Sequence, residues 1–499
     1  DSTFNKIKNS VLLEGKNMKK TKLLCLLGVI TLLGGLTSCG DDSSSVASNS
    51  SSENVVNIRF WHTFGQTITS GIESYIDDFH DLVMEKEGVD VEIKMEYQGN
   101  YDDIEKKVIS GFTASNTPTI TVAYPDHVAD YLSRETTPDE YVVNLDNYMD
   151  DAQIGFGKEE YLGDQGKDDF VPAFMKEGQE YARQGTYSLP FMKSTEVMFY
   201  NETLLGSILK DYSPENIGHD LMKKYLESLS WDQFMDLNRY ISQNKAKYSD
   251  TLKVPCVYDS DSNLYISHSY QNEIPFISIG DDGKGSIDFN NSEAKAMANR
   301  FKADYDDGCF TTRGITGEYG SNYFKNAECV FSIGSSGGAG YQSPTNSSFD
   351  FDICKVPFAN DNQLYVSQGP TLALLKSKKY SDSENETKIK YAWKFLKYIT
   401  NTEVNSDLCF NDSEGYVPVR NSCYQSDYYK ELMEYDDEFA HNAKVVVEDI
   451  DGTYLNTACF AGSATARDAV GGISTSLFAG TDTVDSAFAE AERQVRLAM

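Results

Sequence analysis

The chain is poor in the residues that build metal and redox sites. Its six histidines include no HExxH pair, and none has close Cys/His company, so no metal site is indicated. Nine cysteines form no CxxC, which leaves a zinc ribbon or a thioredoxin-like centre without support. Neither GxxxxGKS/T nor GxGxxG occurs, so the usual phosphate-cradling loops of nucleotide sites are missing, and no cofactor is implied. Positive charge is scarce: 44 Lys and Arg stand against 77 Asp and Glu, a net charge of −33. That balance argues against a nucleic-acid partner and against electrostatic attachment to anionic lipid. No repeat of roughly 20–50 residues stands out. Beyond the N-terminal region no apolar stretch could span a membrane.

What is present begins with residues 18–39, MKKTKLLCLLGVITLLGGLTSC. Lys19, Lys20 and Lys22 form a basic n-region. An apolar run of about 14 residues follows, right for a signal h-region and short of the roughly 20 a membrane span needs. Leu36-Thr37-Ser38-Cys39 ends the run and resembles the lipobox of bacterial lipoproteins. The resemblance implies acylation of Cys39 and removal of the peptide before it, so residues 18–38 are read as signal. Residues 1–17 precede Met18 and are expected to be extraneous. Residues 39–54, rich in Ser, Asn and Asp, read as a flexible tether. About 445 residues remain, enough for two domains with their own cores. Seven cysteines fall there, an odd number, and most are expected to be buried thiols.

The remaining chain alternates strands and helices. Residues 55–60 read as a buried strand. Ile68, Ile72, Tyr75, Ile76, Phe79, Leu82 and Val83 recur at helical spacing. Val89, Val91, Ile93, Met95 and Tyr97 alternate with polar residues, as in a half-buried strand. A helix over 102–112 and a strand over 119–123 complete a β-α-β-α-β order, which predicts an α/β fold with a mostly parallel sheet. Further strands are expected at 197–200, 329–333, 351–356 and 371–375, and helices at 231–242, 388–399 and 484–497.

Two motifs carry possible chemistry. Asp259-x-Asp261-x-Asn263 begins like a calcium loop, but Leu264 replaces the turn glycine and Tyr270 the terminal glutamate, so it reads as a polar turn. Gly334-Ser335-Ser336-Gly337-Gly338 matches GxSxG after an apolar strand. A serine hydrolase would use Ser336 as nucleophile, with His441 the only histidine after it. Gly337, Gly338, Gly340 and Pro344 oppose the helix such an elbow needs, and favour a Gly/Ser loop that lends donors to a ligand.

The order of motifs resembles the extracellular solute-binding proteins of ABC importers, family 1, and among them the glycerol-3-phosphate-binding members. The likeness rests on Phe60-Trp61-His62, on Tyr97-Gln98-Gly99-Asn100-Tyr101, on residues 189–201 (LPFMKSTEVMFYN) and on Gly415-Tyr416-Val417-Pro418. It implies a two-lobed periplasmic-binding-protein-like α/β fold with three interlobe crossings, near 197–200, 357–363 and 400–405. One lobe is then 55–197 with 361–400, the other 200–357 with 404–499. The resemblance also implies a monomeric, non-enzymatic receptor that closes about a hinge and delivers its ligand to a membrane permease.

By that resemblance the ligand contacts fall on Tyr101, Ser194, Ser335, Gly369, Tyr416 and Arg467. Their chemistry suits an anion: Arg467 offers a planar fork of donors, the hydroxyls donate, and glycine lets backbone N–H groups approach. An interlobe salt bridge is the alternative for Arg467, and packing for the tyrosines. The family's acidic contact falls on Pro125, leaving Asp126 or His127 to replace it, and its two cleft tryptophans fall near Ser262 and Tyr265. These departures imply a roomier cleft, for a glycerophosphodiester or for a sugar packed on Trp61 or Tyr265, with Ser336 and Gly337 beside Ser335. Trp231 is expected to pack in its helix.

Overall fold

The computed structural model describes residues 55–158, 166–213, 217–413, 415–448, 450 and 453–499. The signal-like segment, Cys39 and the tether lie outside the described residues. No helix among those described is long and apolar enough to cross a membrane.

The chain begins with β1 (Val56–His62), α1 (Gln66–Glu87), β2 (Val91–Tyr97), α2 (Tyr101–Ala114), β3 (Ile120–Ala123) and α3 (Pro125–Ser133). This is the predicted order, and its helix faces are those the periodicity marks: Ile72, Ile76, Phe79 and Val83 are the buried residues of α1. Asn100 and Asp103 form a capping box that starts α2 at Tyr101. Then come β4 (Leu189–Pro190), β5 (Ser194–Asn201), α4 (Trp231–Tyr248), β6 (Cys256–Tyr258), α5 (Asp261–Gln271), α6 (Ser292–Asp306), β7 (Phe310–Thr312), β8 (Phe331–Ser335) and β9 (Phe351–Lys355). Last come β10 (Tyr365–Gln368), β11 (Thr371–Leu374), α7 (Asp382–Ile399), α8 (Glu438–Glu448), β12 (Tyr454–Leu455), α9 (Ser463–Ala479) and α10 (Val484–Ala498).

Two sheets organise these elements. The first has the order β2-β1-β3-β11-β4, and the second β12-β10-β5-β8-β6-β7, with β9 also paired to β5. The expectation of a mostly parallel sheet holds only in part. β1 runs parallel to β2 and β3, but β11 returns antiparallel between β3 and β4. In the second sheet β5 is antiparallel to β8, β9 and β10. The antiparallel strands are those the chain enters when it changes sheets, so their direction follows from the crossings.

The crossings lie elsewhere than expected. Residues 197–200 sit inside β5, wholly in the second sheet, so the first passage is at Phe191, Met192 and Lys193, between β4 and β5. β10 still belongs to the second sheet, so the next passage is at Gly369 and Pro370 rather than 357–363. Gly369 has φ +97°, and a Cβ there would lie 2.3 Å from the Met192 carbonyl oxygen. Only glycine lets these two passages run so close. Residues 400–405 abut the first passage: Asn405 donates to the Phe191 carbonyl at 2.8 Å and accepts from the Val419 N–H at 2.8 Å.

β5 separates the two main cores. Val197 and Phe199 join the cluster that continues into the first lobe, while Met198 and Tyr200 face α4, α5, α9 and α10. Trp231 packs on His268 and Tyr258, and its indole donates to Gln271, in the packing role expected of it. The cysteines at 256, 309, 329, 354, 409, 423 and 459 are all buried and unpaired.

Candidate functional site

A cavity of about 730 Å³ opens between the two sheets. The first lobe supplies Thr63, Tyr101, Tyr124 and Asp126, the strand passages supply Lys193, Ser194 and Gly369, and the second lobe supplies Glu196, Asp259, Arg313, Ser335 and Arg467. Tyr101 and Tyr124 stack with centroids 4.0 Å apart, one at the start of α2 and the other just before α3. Ser335 donates to Ser194 at 3.1 Å across the β8–β5 pair. Gly337 lies under Tyr416, where a Cβ would come within 2.8 Å of the ring.

All six residues assigned to the ligand by resemblance thus line one cavity, as do Asp126 and Gly337. Three further candidates sit elsewhere. Trp61 is buried in the first sheet, where its indole donates to Glu96 at 2.8 Å and the Arg59 guanidinium lies over its ring. Tyr265 is fully buried among Phe276 and Phe488, because α5 turns that face to α10. Ser262, the other departure from the family pattern, packs against Gly471 of α9. Ser336 is fully buried, and its Oγ accepts the Thr195 N–H at 3.3 Å. The serine-hydrolase alternative fails on this geometry: Ser336 itself opens a short 3-10 turn, Ser336–Tyr341, in place of the helix an elbow needs, and both ring nitrogens of His441 are engaged by Asp352 and Asp436.

Arg467 joins the lobes. Its Nε donates to Asp126 of α3 at 2.8 Å, and its Nη1 to Asn263 of α5 at 3.2 Å. Burial would raise the Asp126 carboxyl, but the charges of Arg467 and His127 outweigh it and hold it below the ordinary range. The Gly462 N–H, at the start of α9, adds a second tie by donating to Asp130 at 2.8 Å.

An acidic seam surrounds this junction. Burial and the nearby Asp130 and Asp126 raise the Glu105 carboxyl to about 8. Burial and Asp102 raise Asp468 to about 6. His127 faces Glu105 at 3.8 Å, and burial lowers its imidazole below the ordinary value. A carboxyl raised in the folded state binds its proton more tightly there than in the unfolded chain. The folded protein therefore loses stability as pH rises from the ordinary 4.5 toward about 8. Urea melts across that range should show the decline, and Glu105→Gln should flatten it, gaining on the order of 2 kcal/mol at the alkaline end.

Sequence reasoning missed Glu177, Lys193, Glu196, Asp259 and Arg313 in the cavity wall. Lys193 and Glu196 did carry a signal, since charged residues beside and within a strand as buried as β5 must find partners or a ligand. Asp259 lies just before α5, while Asp261 and Asn263, read in the sequence as part of a polar turn, form the first turn of that helix.

Comparison with known proteins follows the same outline. A family model described as bacterial extracellular solute-binding protein matches residues 75–436. The sn-glycerol-3-phosphate-binding periplasmic protein UgpB of Pectobacterium atrosepticum is 22% identical over 378 residues, 74% of each chain. UgpB from Mycobacterium tuberculosis, solved with glycerophosphocholine, has a TM-score of 0.64 at 15% identity, over 89% of this chain and 98% of that one. The ABC substrate-binding protein Lmo0181 from Listeria monocytogenes, solved with cycloalternan, scores 0.66 at 12% identity, over 89% and 99%. The GacH receptor of Streptomyces glaucescens, solved with acarbose, scores 0.63 at 16% identity, over 89% and 98%. At such identities the likeness is one of fold.

Proposed function

The chain belongs to the bacterial extracellular solute-binding proteins, and on that premise we propose that it captures a hydroxyl-rich solute between its lobes and presents it to an ABC permease. The observation that carries this reading is a cavity of about 730 Å³ with walls from both lobes. A ligand there touches both lobes at once and so favours the closed arrangement by its differential affinity. The proposed ligand contacts are Tyr101, Ser194, Ser335, Gly369, Tyr416 and Arg467, joined by Asp126 and Gly337. A lipid on Cys39 would hold this receptor beside its permease, with residues 39–54 as leash.

The wall chemistry favours a carbohydrate. The volume corresponds to roughly two dozen waters, so a single glycerol phosphate would leave most of it unfilled. Arg467 and Lys193, two cations at the centre, already answer to Asp126 and Glu177. Glu196 and Asp259 add carboxyls, which repel a phosphate and accept hydroxyls. Tyr101, Tyr124 and Tyr416 offer ring faces for a sugar. A glycerophosphodiester is the second reading, supported by the cations Arg313 and Lys325 in the cavity wall.

A thermal-shift panel decides between them. Purified protein should gain several degrees with an oligosaccharide and little with glycerol-3-phosphate. No shift with any oligosaccharide or glycerophosphodiester would sink the receptor reading.

A further inference from the structure

One carboxyl in the cavity wall has a side left unanswered by the protein. Glu196 is 1% exposed in the middle of β5. Strand alternation puts it on the face of Ser194, and both line the cavity, while Thr195 and Val197 point to the other side. Its Oε2 accepts from Tyr258 at 2.8 Å and from Ser267 at 3.4 Å. Tyr258 and Ser267 are buried in the second lobe, so this carboxyl is held in place. Its Oε1 has no hydrogen bond within 3.5 Å, although the Asn263 side chain lies near enough to lower the carboxyl. Buried carboxyl oxygens are seldom left so, and one beside a solute cavity calls for a group from outside the protein.

We propose that Glu196 reads a hydroxyl of the solute, its Oε1 completing its hydrogen bonding with an uncharged, polyhydroxylated ligand at the cleft floor. The inference rests on the reading of the cavity as the solute site. The class of ligand follows from what surrounds the carboxyl. Asp259, just after β6, is a second, half-buried acid in the same wall, fixed by the Gly320 N–H at 2.5 Å. A Cβ on Gly334 would lie 2.5 Å from its Oδ2, so the glycine makes room for it beside β8. Burial raises Glu196 to about 7 and Asp259 to about 6. A carboxyl near its midpoint can donate or accept, and a hydroxyl can do both, so the pair bonds in either state. A phosphate dianion would meet two acids instead.

Calorimetric titration of the whole protein with an oligosaccharide that stabilises it tests this. Glu196→Gln keeps the shape and the hydrogen-bonding capacity, and should bind within about threefold of wild type. Glu196→Leu should lose about 30-fold, as expected when a buried polar contact to a ligand is removed. Glu196→Asp, which keeps an acid but withdraws it by one methylene, should lose about tenfold and covers the case in which the leucine variant does not fold. Oligosaccharide affinity unchanged in both the Asp and the Leu variants would overturn the role of Glu196 and leave the receptor reading standing. A wild-type protein that binds only phosphorylated solutes would overturn the ligand class. One that binds no solute of either kind would remove the receptor reading itself.

Discussion

Arg467→Ala should weaken solute binding by about two orders of magnitude and shift the unliganded protein toward a more open shape. The side chain spans the lobes, from Asp126 on α3 to Asn263 on α5. Its removal leaves Asp126, whose side chain is 3% exposed, as a buried carboxylate without its counter-charge. Breaking such a pair from one side costs about 3–5 kcal/mol, more than the intact pair contributes, because the remaining charge is still held out of water. Separation of the lobes rehydrates Asp126, so the cost falls on the closed arrangement. A penalty of about 3 kcal/mol on the binding-competent state lowers apparent affinity roughly 150-fold. Asp126→Ala in the same chain removes the stranded charge and should recover the part of the loss that comes from the penalty on the closed arrangement, leaving the part that comes from the two missing ligand contacts. Small-angle scattering reads the shape, and calorimetry the affinity. If Arg467 instead served only as an anion fork, the single variant would lose phosphorylated solutes and keep neutral ones, and the second substitution would restore nothing.

That junction also shows what the sequence could and could not disclose. The run from β1 to β3 was legible because its signals are local: an apolar face in α1 at helical spacing and alternation along β2. Strand direction was not legible, since β11 looks the same in sequence whether it runs up or down. Its antiparallel place follows from the passage at Gly369 and Pro370, a long-range matter. The site divides in the same way. Tyr101, Ser194, Ser335, Gly369, Tyr416 and Arg467 were found through motif order and share one cavity. Trp61 and Tyr265 were misplaced because an aromatic ring serves a core as well as a cleft, and only burial separates the two. Glu177, Glu196 and Asp126 acquire meaning from partners 16, 62 and 341 residues away, a relation no local pattern carries.

Glu177→Ala should be the most destabilising single change near the hinge. Lys193 lies in the first passage between the sheets, and its side chain is 1% exposed. Its ammonium donates to Glu177 at 2.6 Å, with the Phe174 ring on another side. The other Glu177 oxygen accepts from Ser367 of β10, just ahead of the second passage. The Lys193 backbone exchanges two hydrogen bonds with Val417, at 2.9 and 2.8 Å. Four separate stretches of chain therefore meet around one buried ion pair. Truncating the acid strands an ammonium that the fixed backbone of Lys193 cannot carry to water, and the loss should reach about 3–5 kcal/mol. The double variant Glu177→Leu, Lys193→Met fills similar volume without charge and should fall within about 1–2 kcal/mol of wild type, or exceed it. Urea denaturation of the three proteins measures this, with a lower midpoint and an unchanged slope expected for Glu177→Ala. A Glu177→Ala protein as stable as the double variant would mean that Lys193 finds another partner or water, and that the pair does not hold the crossing together.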